Sequence, residues 1–146
     1  MASQIYNEFK RASAAGEIDL NADDIRVALL MTNTTAGTEN DGIVFVADFT
    51  TLDESTGAAN YVRKALANEA VNKDDANDRA EFDADDVTWT ALGNDVRQLA
   101  GALVYKHVTV DADSPVIGWI EFATPQSPGG GDFTITWNAE GILQLT

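Results

Sequence analysis

From Ala102 to Thr146 the chain reads as one strand after another, and this alternation constrains its fold more than any other feature. Between Gly131 and Trp137 the apolar Phe133, Ile135 and Trp137 alternate with Asp132, Thr134 and Thr136. That is the two-residue period of a strand with one buried face. Ile142, Leu143 and Leu145 resume after Asn138-Ala139-Glu140-Gly141, a loop short enough to close a hairpin. Val116 to Phe122 sets Ile117, Trp119 and Glu121 on one face and Val116, Gly118, Ile120 and Phe122 on the other, which predicts partial cover on both. Leu99 to Thr109 sets Leu99, Gly101, Leu103, Tyr105, His107 and Thr109 against Ala100, Ala102, Val104, Lys106 and Val108. Apolar residues in such segments read as core. Trp89, Trp119 and Trp137 all lie in alternating segments, so they too read as core rather than as a carbohydrate platform.

The N-terminal third is less regular. Residues 2–15 place Ile5, Phe9 and Ala12 at helical spacing, with Tyr6 beside the stripe and Gly16 positioned as a stop. So short a helix is marginal alone in water, so its stripe must pack on its own domain or on a neighbour. Glu8, Lys10 and Arg11 give residues 1–15 a net charge of +1 in a chain of -15. A segment of different charge suggests a different neighbour, which makes Ile5, Tyr6, Phe9, Lys10 and Arg11 the candidate interface residues. Ile25 to Thr32 has the apolar content of a central strand, and Ile43 to Phe49 fits either a buried strand or a short helix. Thr50 to Asn60 reads as an exposed loop. Tyr61 to Val71 contains good helix formers, yet a helix would stack Val62, Leu66 and Glu69 into a poor apolar stripe, so a strand is expected. Short strands are expected around Ala80 to Phe82 and Val87 to Thr90, separated by a turn at Asp83 to Asp86, and Pro125 to Gly131 reads as a flexible loop. The predicted fold is mainly β, a single antiparallel β-sandwich or β-barrel-like domain at 19–146 preceded by a short N-terminal helix or arm at 1–18.

Composition narrows the function. A length of 146 residues fits one domain, and with Cys 0 there is no disulfide, thiol nucleophile or thiolate metal site. A net charge of -15 repels phosphate backbones and anionic lipid surfaces, so neither nucleic acid nor membrane is an expected partner. No apolar run approaches the ~20 residues of a membrane span. The first residues also lack the apolar centre of a secretory signal, so the chain reads as soluble and not obviously exported. Seven acidic residues and one Arg fall between Asp74 and Asp86, which invites comparison with a calcium loop. Counted from Asp74, however, position three is Ala76, position six is Arg79 and position twelve is Asp85, so the EF-hand pattern fails. Turns whose Asp and Asn side chains bond nearby backbone are the commoner cause of such a run. His107 is the sole histidine and no nucleophile motif accompanies it. The residues therefore predict no catalytic role, no cofactor and no metal.

Taken together, IRVALLMT, NDRAEFDADDVTWTAL, ALVYKHVT, PVIGWIEFATPQ and GGGDFTITWNAEGILQLT resemble a family of small virion proteins of tailed DNA phages. The resemblance spans nearly the whole chain and is most specific at Phe82 to Trp89 and Gly131 to Leu145. Ile43 to Asn60 departs from the glycine-rich, turn-like pattern of that region. The resemblance implies a head decoration, or cement, protein that binds the outer capsid surface as a homotrimer, has the major capsid protein as partner, and braces the shell. Tail or neck structural proteins, and an acidic calcium- or glycan-binding β-module, are the alternatives at this point.

Overall fold

In the computed structural model, which describes residues 2–146, the alternation of the sequence becomes antiparallel sheets packed against one another. Along the chain run β1 (Gln4–Ile5), α1 (Asn7–Ala14), β2 (Ile25–Met31), β3 (Lys64–Ala65), β4 (Ala70–Asp74), β5 (Arg79–Asp83), β6 (Val87–Trp89), β7 (Leu99–Lys106), β8 (Val116–Gln126), β9 (Phe133–Ile135) and β10 (Leu143–Leu145). The main sheet has the order β1-β8-β7-β2-β3, a second the order β10-β5-β4, and β6 pairs with β9. The mainly β fold with a short N-terminal helix is thus the observed one.

Over β2, β7 and the start of β8 the main sheet is buried on both sides, which explains the nearly continuous apolar runs there. From β2, Ile25, Val27, Leu29 and Met31 enter a large core with Phe9 and Ala12 of α1 and with Phe82, Trp89, Ile135 and Leu143 of the smaller sheets. Ala28 and Leu30 point the other way, joining Leu103, Tyr105 and Trp119 in a second cluster. Segment 32–60 covers that face through Ala36, Ile43, Val46 and Phe49. Each fully buried Leu or Ile here is worth about 1.5–3 kcal/mol of removal from water. β8 is bulged against β7: Val104 faces Gly118 and Tyr105 faces Val116, so Ile117 is an extra residue and turns into the large core. Gly101 fits where nothing larger does, because a Cβ there would lie 2.6 Å from the Trp119 ring.

The N-terminal segment belongs to this same core, with Met1 outside the described residues. Gln4 and Ile5 face Trp119 and Gly118 of β8, and Phe9, Ala12 and Ile18 enter the large cluster. α1 stops where the glycine predicts. Gly16 has φ 74, its N–H donates to the Ser13 carbonyl at 3.1 Å and the Glu17 N–H to that of Ala12 at 2.8 Å. This pair of bonds satisfies carbonyls that a helix end leaves open.

Four local expectations change. The chain after Trp137 forms no hairpin with the strand before it: β9 pairs with β6, and β10 pairs with β5, with Leu143 opposite Phe82. Gly141, at φ 94, lets the chain press on the Phe82 carbonyl, which accepts the Ile142 N–H at 2.6 Å. Ile43 to Phe49 is neither strand nor a full helical turn; it holds a 3₁₀ turn at Val46–Asp48. The Asp48 carboxylate accepts the Val44 and Phe45 N–H groups at 3.0 and 2.8 Å. Tyr61 to Val71 holds strand, but in two pieces, interrupted near Asn68 at φ 55. Pro125 to Gly131 is tied down: Gly130 N–H donates to the Leu92 carbonyl at 2.8 Å, and Leu92 N–H to that of Gly131 at 2.9 Å.

Candidate functional site

The five candidate interface residues separate by burial. Tyr6 and Phe9 are fully enclosed by the chain itself, and Ile5 is half-buried in β1. Tyr6 donates its hydroxyl to the Ala36 carbonyl at 2.6 Å and packs on Phe49 at 5.5 Å between ring centroids. Burial pushes its phenol well above the ordinary range. Gln4 donates to the carbonyls of Ala36 and Glu39 at 2.7 and 3.0 Å, so this segment sews the covering loop to the sheet. The side chains of Tyr6 and Phe9 are therefore core, Ile5 is partly exposed, and Lys10 and Arg11 are exposed. Arg11 is gripped by Glu8 at 2.6 Å and by Glu17 at 2.5 Å, which holds the Glu17 carboxyl below its usual value.

A second cluster lies where β2 begins and β7 ends. Arg63 reaches Glu54 and Asp111, each at 2.6 Å, and its guanidinium carbon sits 5.2 Å from the Tyr105 ring centroid. Tyr61 donates to Glu54 at 2.6 Å and accepts the Leu29 N–H at 3.1 Å. Arg63 thereby ties segment 50–63 to segment 107–115 over the end of the main sheet, and it keeps the Asp111 carboxyl below the usual range. Val62 and Val110, chain neighbours of Arg63 and Asp111, are 61% and 53% exposed, and Val108 is 48% exposed. Nothing in the sequence signals the clasp, since its partners lie 9 and 48 positions from Arg63.

Members of the acidic run from Asp74 to Asp86 make contacts within the protein itself. Arg79 gathers Asp74 at 3.1 Å, Glu81 at 2.8 Å and Glu140 at 3.3 Å, while Asp86 accepts the Trp137 N–H at 3.0 Å. Among the described residues no group of three or more His, Cys, Asp or Glu side chains is placed to hold a metal. His107 stands edge-on to Tyr105, 6.4 Å between centroids.

The remaining feature is an open groove of about 560 Å³ between β8 and the segment from β9 to Ile142. Ile120, Phe122, Phe133, Ile135, Trp137 and Ile142 give it an apolar lining. Phe122 and Phe133 meet edge to face, 5.6 Å between centroids. Trp137 is 8% exposed and anchored by its Nε1, which donates to the Asp85 carbonyl at 3.0 Å. Trp89 and Trp119 are wholly enclosed, so the three indoles form no platform. The groove was not foreseeable from alternation, because its walls come from strands of different sheets. Set beside known proteins, the chain matches no family model, no curated protein and no solved structure.

Proposed function

We propose that this protein is a structural component of a tailed-phage virion, a decoration or cement protein that binds the outer head surface and stabilises the shell. It acts without catalysis and without a cofactor, as a homotrimer with the major capsid protein as partner; nucleic acid and membranes are not partners. The observation that carries this reading is a β-body with an open, apolar-lined groove between β8 and β9 and further exposed apolar side chains at Val62, Val108 and Val110. A cement protein needs one surface for the shell and another for its own copies. The central strands β2 and β7 of the main sheet are buried, and its covering segments are held by Gln4, Tyr6 and Arg63. Such a body transmits load without local opening. The charge of -15 also suits a surface that must repel neighbouring particles and released DNA. The sequence resemblance points the same way.

The test is sedimentation of the purified protein with mature, empty heads and, separately, with isolated tails of the phage that encodes it. Saturable binding to heads, at a copy number divisible by three per site, is expected. Binding to tails alone overturns the reading in favour of a tail or neck role.

A further inference from the structure

Asp41-Gly42 is the one place in the chain where an aspartate or asparagine precedes a glycine. The order matters chemically, because a backbone nitrogen that follows Asp can attack its carboxyl carbon, and glycine, with no Cβ and the widest backbone freedom, hinders that approach least.

The fold leaves both reacting groups open. Asp41 and Gly42 are exposed and hold the two central positions of a turn, which the Ile43 N–H closes by donating to the Asn40 carbonyl at 3.2 Å. Gly42 has φ 78, and a Cβ there would meet nothing within 4 Å. Among the described residues the Asp41 carboxylate accepts no hydrogen bond and the Gly42 N–H donates none. Asp48, Asp53 and Asp95 contrast with it: Asp48 accepts two backbone N–H groups, Asp53 is gripped by Arg97, and Asp95 accepts the Gly57 N–H at 2.8 Å.

The turn also stands at a junction. Asn40, on one side of it, accepts the Asn7 N–H at 2.8 Å and donates to Gln4 Oε1 at 3.2 Å, which pins segment 32–60 to the N-terminal segment. Ile43, on the other side, is 7% exposed and belongs to the second core.

We propose that Asp41-Gly42 is a site of spontaneous isoaspartate formation, and that this modification unpins the covering segment from the N-terminal segment. The Gly42 nitrogen forms a bond to Asp41 Cγ, and the carboxyl hydroxyl leaves with the amide proton as water. Water then opens the cyclic imide at either carbonyl, which restores aspartate or leaves the main chain routed through Cβ. Nothing is oxidised or reduced, no second protein is needed, and the net charge is unchanged. The added backbone carbon lengthens the path from Asn40 to Ile43, so the bond that closes the turn is lost. The proposal does not depend on the decoration reading.

The full-length protein and a synthetic peptide of residues 37–45 are aged side by side in mildly acidic buffer. Isoaspartate is located by peptide mapping with electron-transfer fragmentation. Asp41 of the folded protein is expected to carry more of it than all other aspartates together, at a rate within about tenfold of the peptide's, because the fold adds little to the barrier. Asp41→Glu keeps the exposed charge, would need a larger ring and is expected to accumulate none at that position. Isoaspartate spread over other positions, or an Asp41 slower than the peptide by more than about tenfold, overturns the site. Hydrogen exchange of the aged protein reads the consequence. The Asn7 and Ile43 amides are expected to exchange faster while those of β5 and β10 stay as they were. Unchanged exchange at Asn7 and Ile43, or faster exchange throughout, overturns the unpinning.

Discussion

Trp119 separates burial from satisfaction at the level of one residue. Its ring is fully enclosed and its Nε1 has no hydrogen-bond partner among the described residues, while the equally enclosed Trp89 donates to the Val62 carbonyl at 2.7 Å. An unpaired buried donor costs about 1–3 kcal/mol, and a paired one leaves its acceptor orphaned when it is removed. Both indoles lose similar volume on replacement by Phe. Trp119→Phe is therefore expected to destabilise less than Trp89→Phe, by about 1–3 kcal/mol in urea unfolding. Equal losses would mean that the Trp119 donor is satisfied in solution. At Arg63 the expectation is opposite in kind: its guanidinium charge is shared by two carboxylates and an aromatic face, and Arg63→Ala strands the half-buried Glu54. A loss of about 3 kcal/mol is expected, with Arg63→Lys recovering only part of it because the bidentate fork is gone.

Among the elements, α1 tests the division between arm and body. The spacing of Ile5, Phe9 and Ala12 suggests a docking stripe that assembly would depend on more than folding. Packing reverses that order for Phe9, which is 0% exposed in the large core. Phe9→Asp is expected to cost at least about 3–5 kcal/mol and unfold the protein at 37 °C, whereas Lys10→Glu should leave the melting temperature within about a degree. Circular dichroism melts of the two variants check this. What was legible follows from what alternation encodes. β2, β7 and β8 stand out because two-sided burial leaves long apolar runs, and Gly16 marks the end of α1 because only glycine takes its φ cheaply. Alternation assigns a face but not a partner, so the pairing of β10 with β5 rather than β9 depended on the close approach of Gly141 to Phe82, a tertiary contact. Asn68 broke the segment by taking a left-handed conformation that asparagine tolerates, a signal that alternation does not weigh. The groove and the Arg63 clasp are assembled from residues far apart in sequence, and no local pattern carries them.

For the molecule as a whole, charge sets the response to pH. Arg63, Arg97 and Arg26 hold Asp111, Asp53 and Asp24 below the usual carboxylate range, and hydrogen bonds from Thr50 and Thr35 do the same for Glu39. Depressed carboxyl values contribute stability that is fully present above about pH 4 and is lost as pH falls below it. The buried phenols of Tyr6 and Tyr61 are raised, so their contribution is present below about pH 10 and lost above it. Self-repulsion at -15 acts between these limits and is relieved by mild acid and by salt. The melting temperature is expected to rise modestly from pH 8 to about pH 5, to fall steeply below about pH 4, and to lose its upper slope in high salt. A calorimetric series in pH and salt measures all three. A reconstruction of heads assembled with and without the protein decides the proposed place of this body on a virus particle. Added density on the outer shell in three-fold groups is expected. Identical heads, with density for this chain found only on the tail or neck, would contradict it.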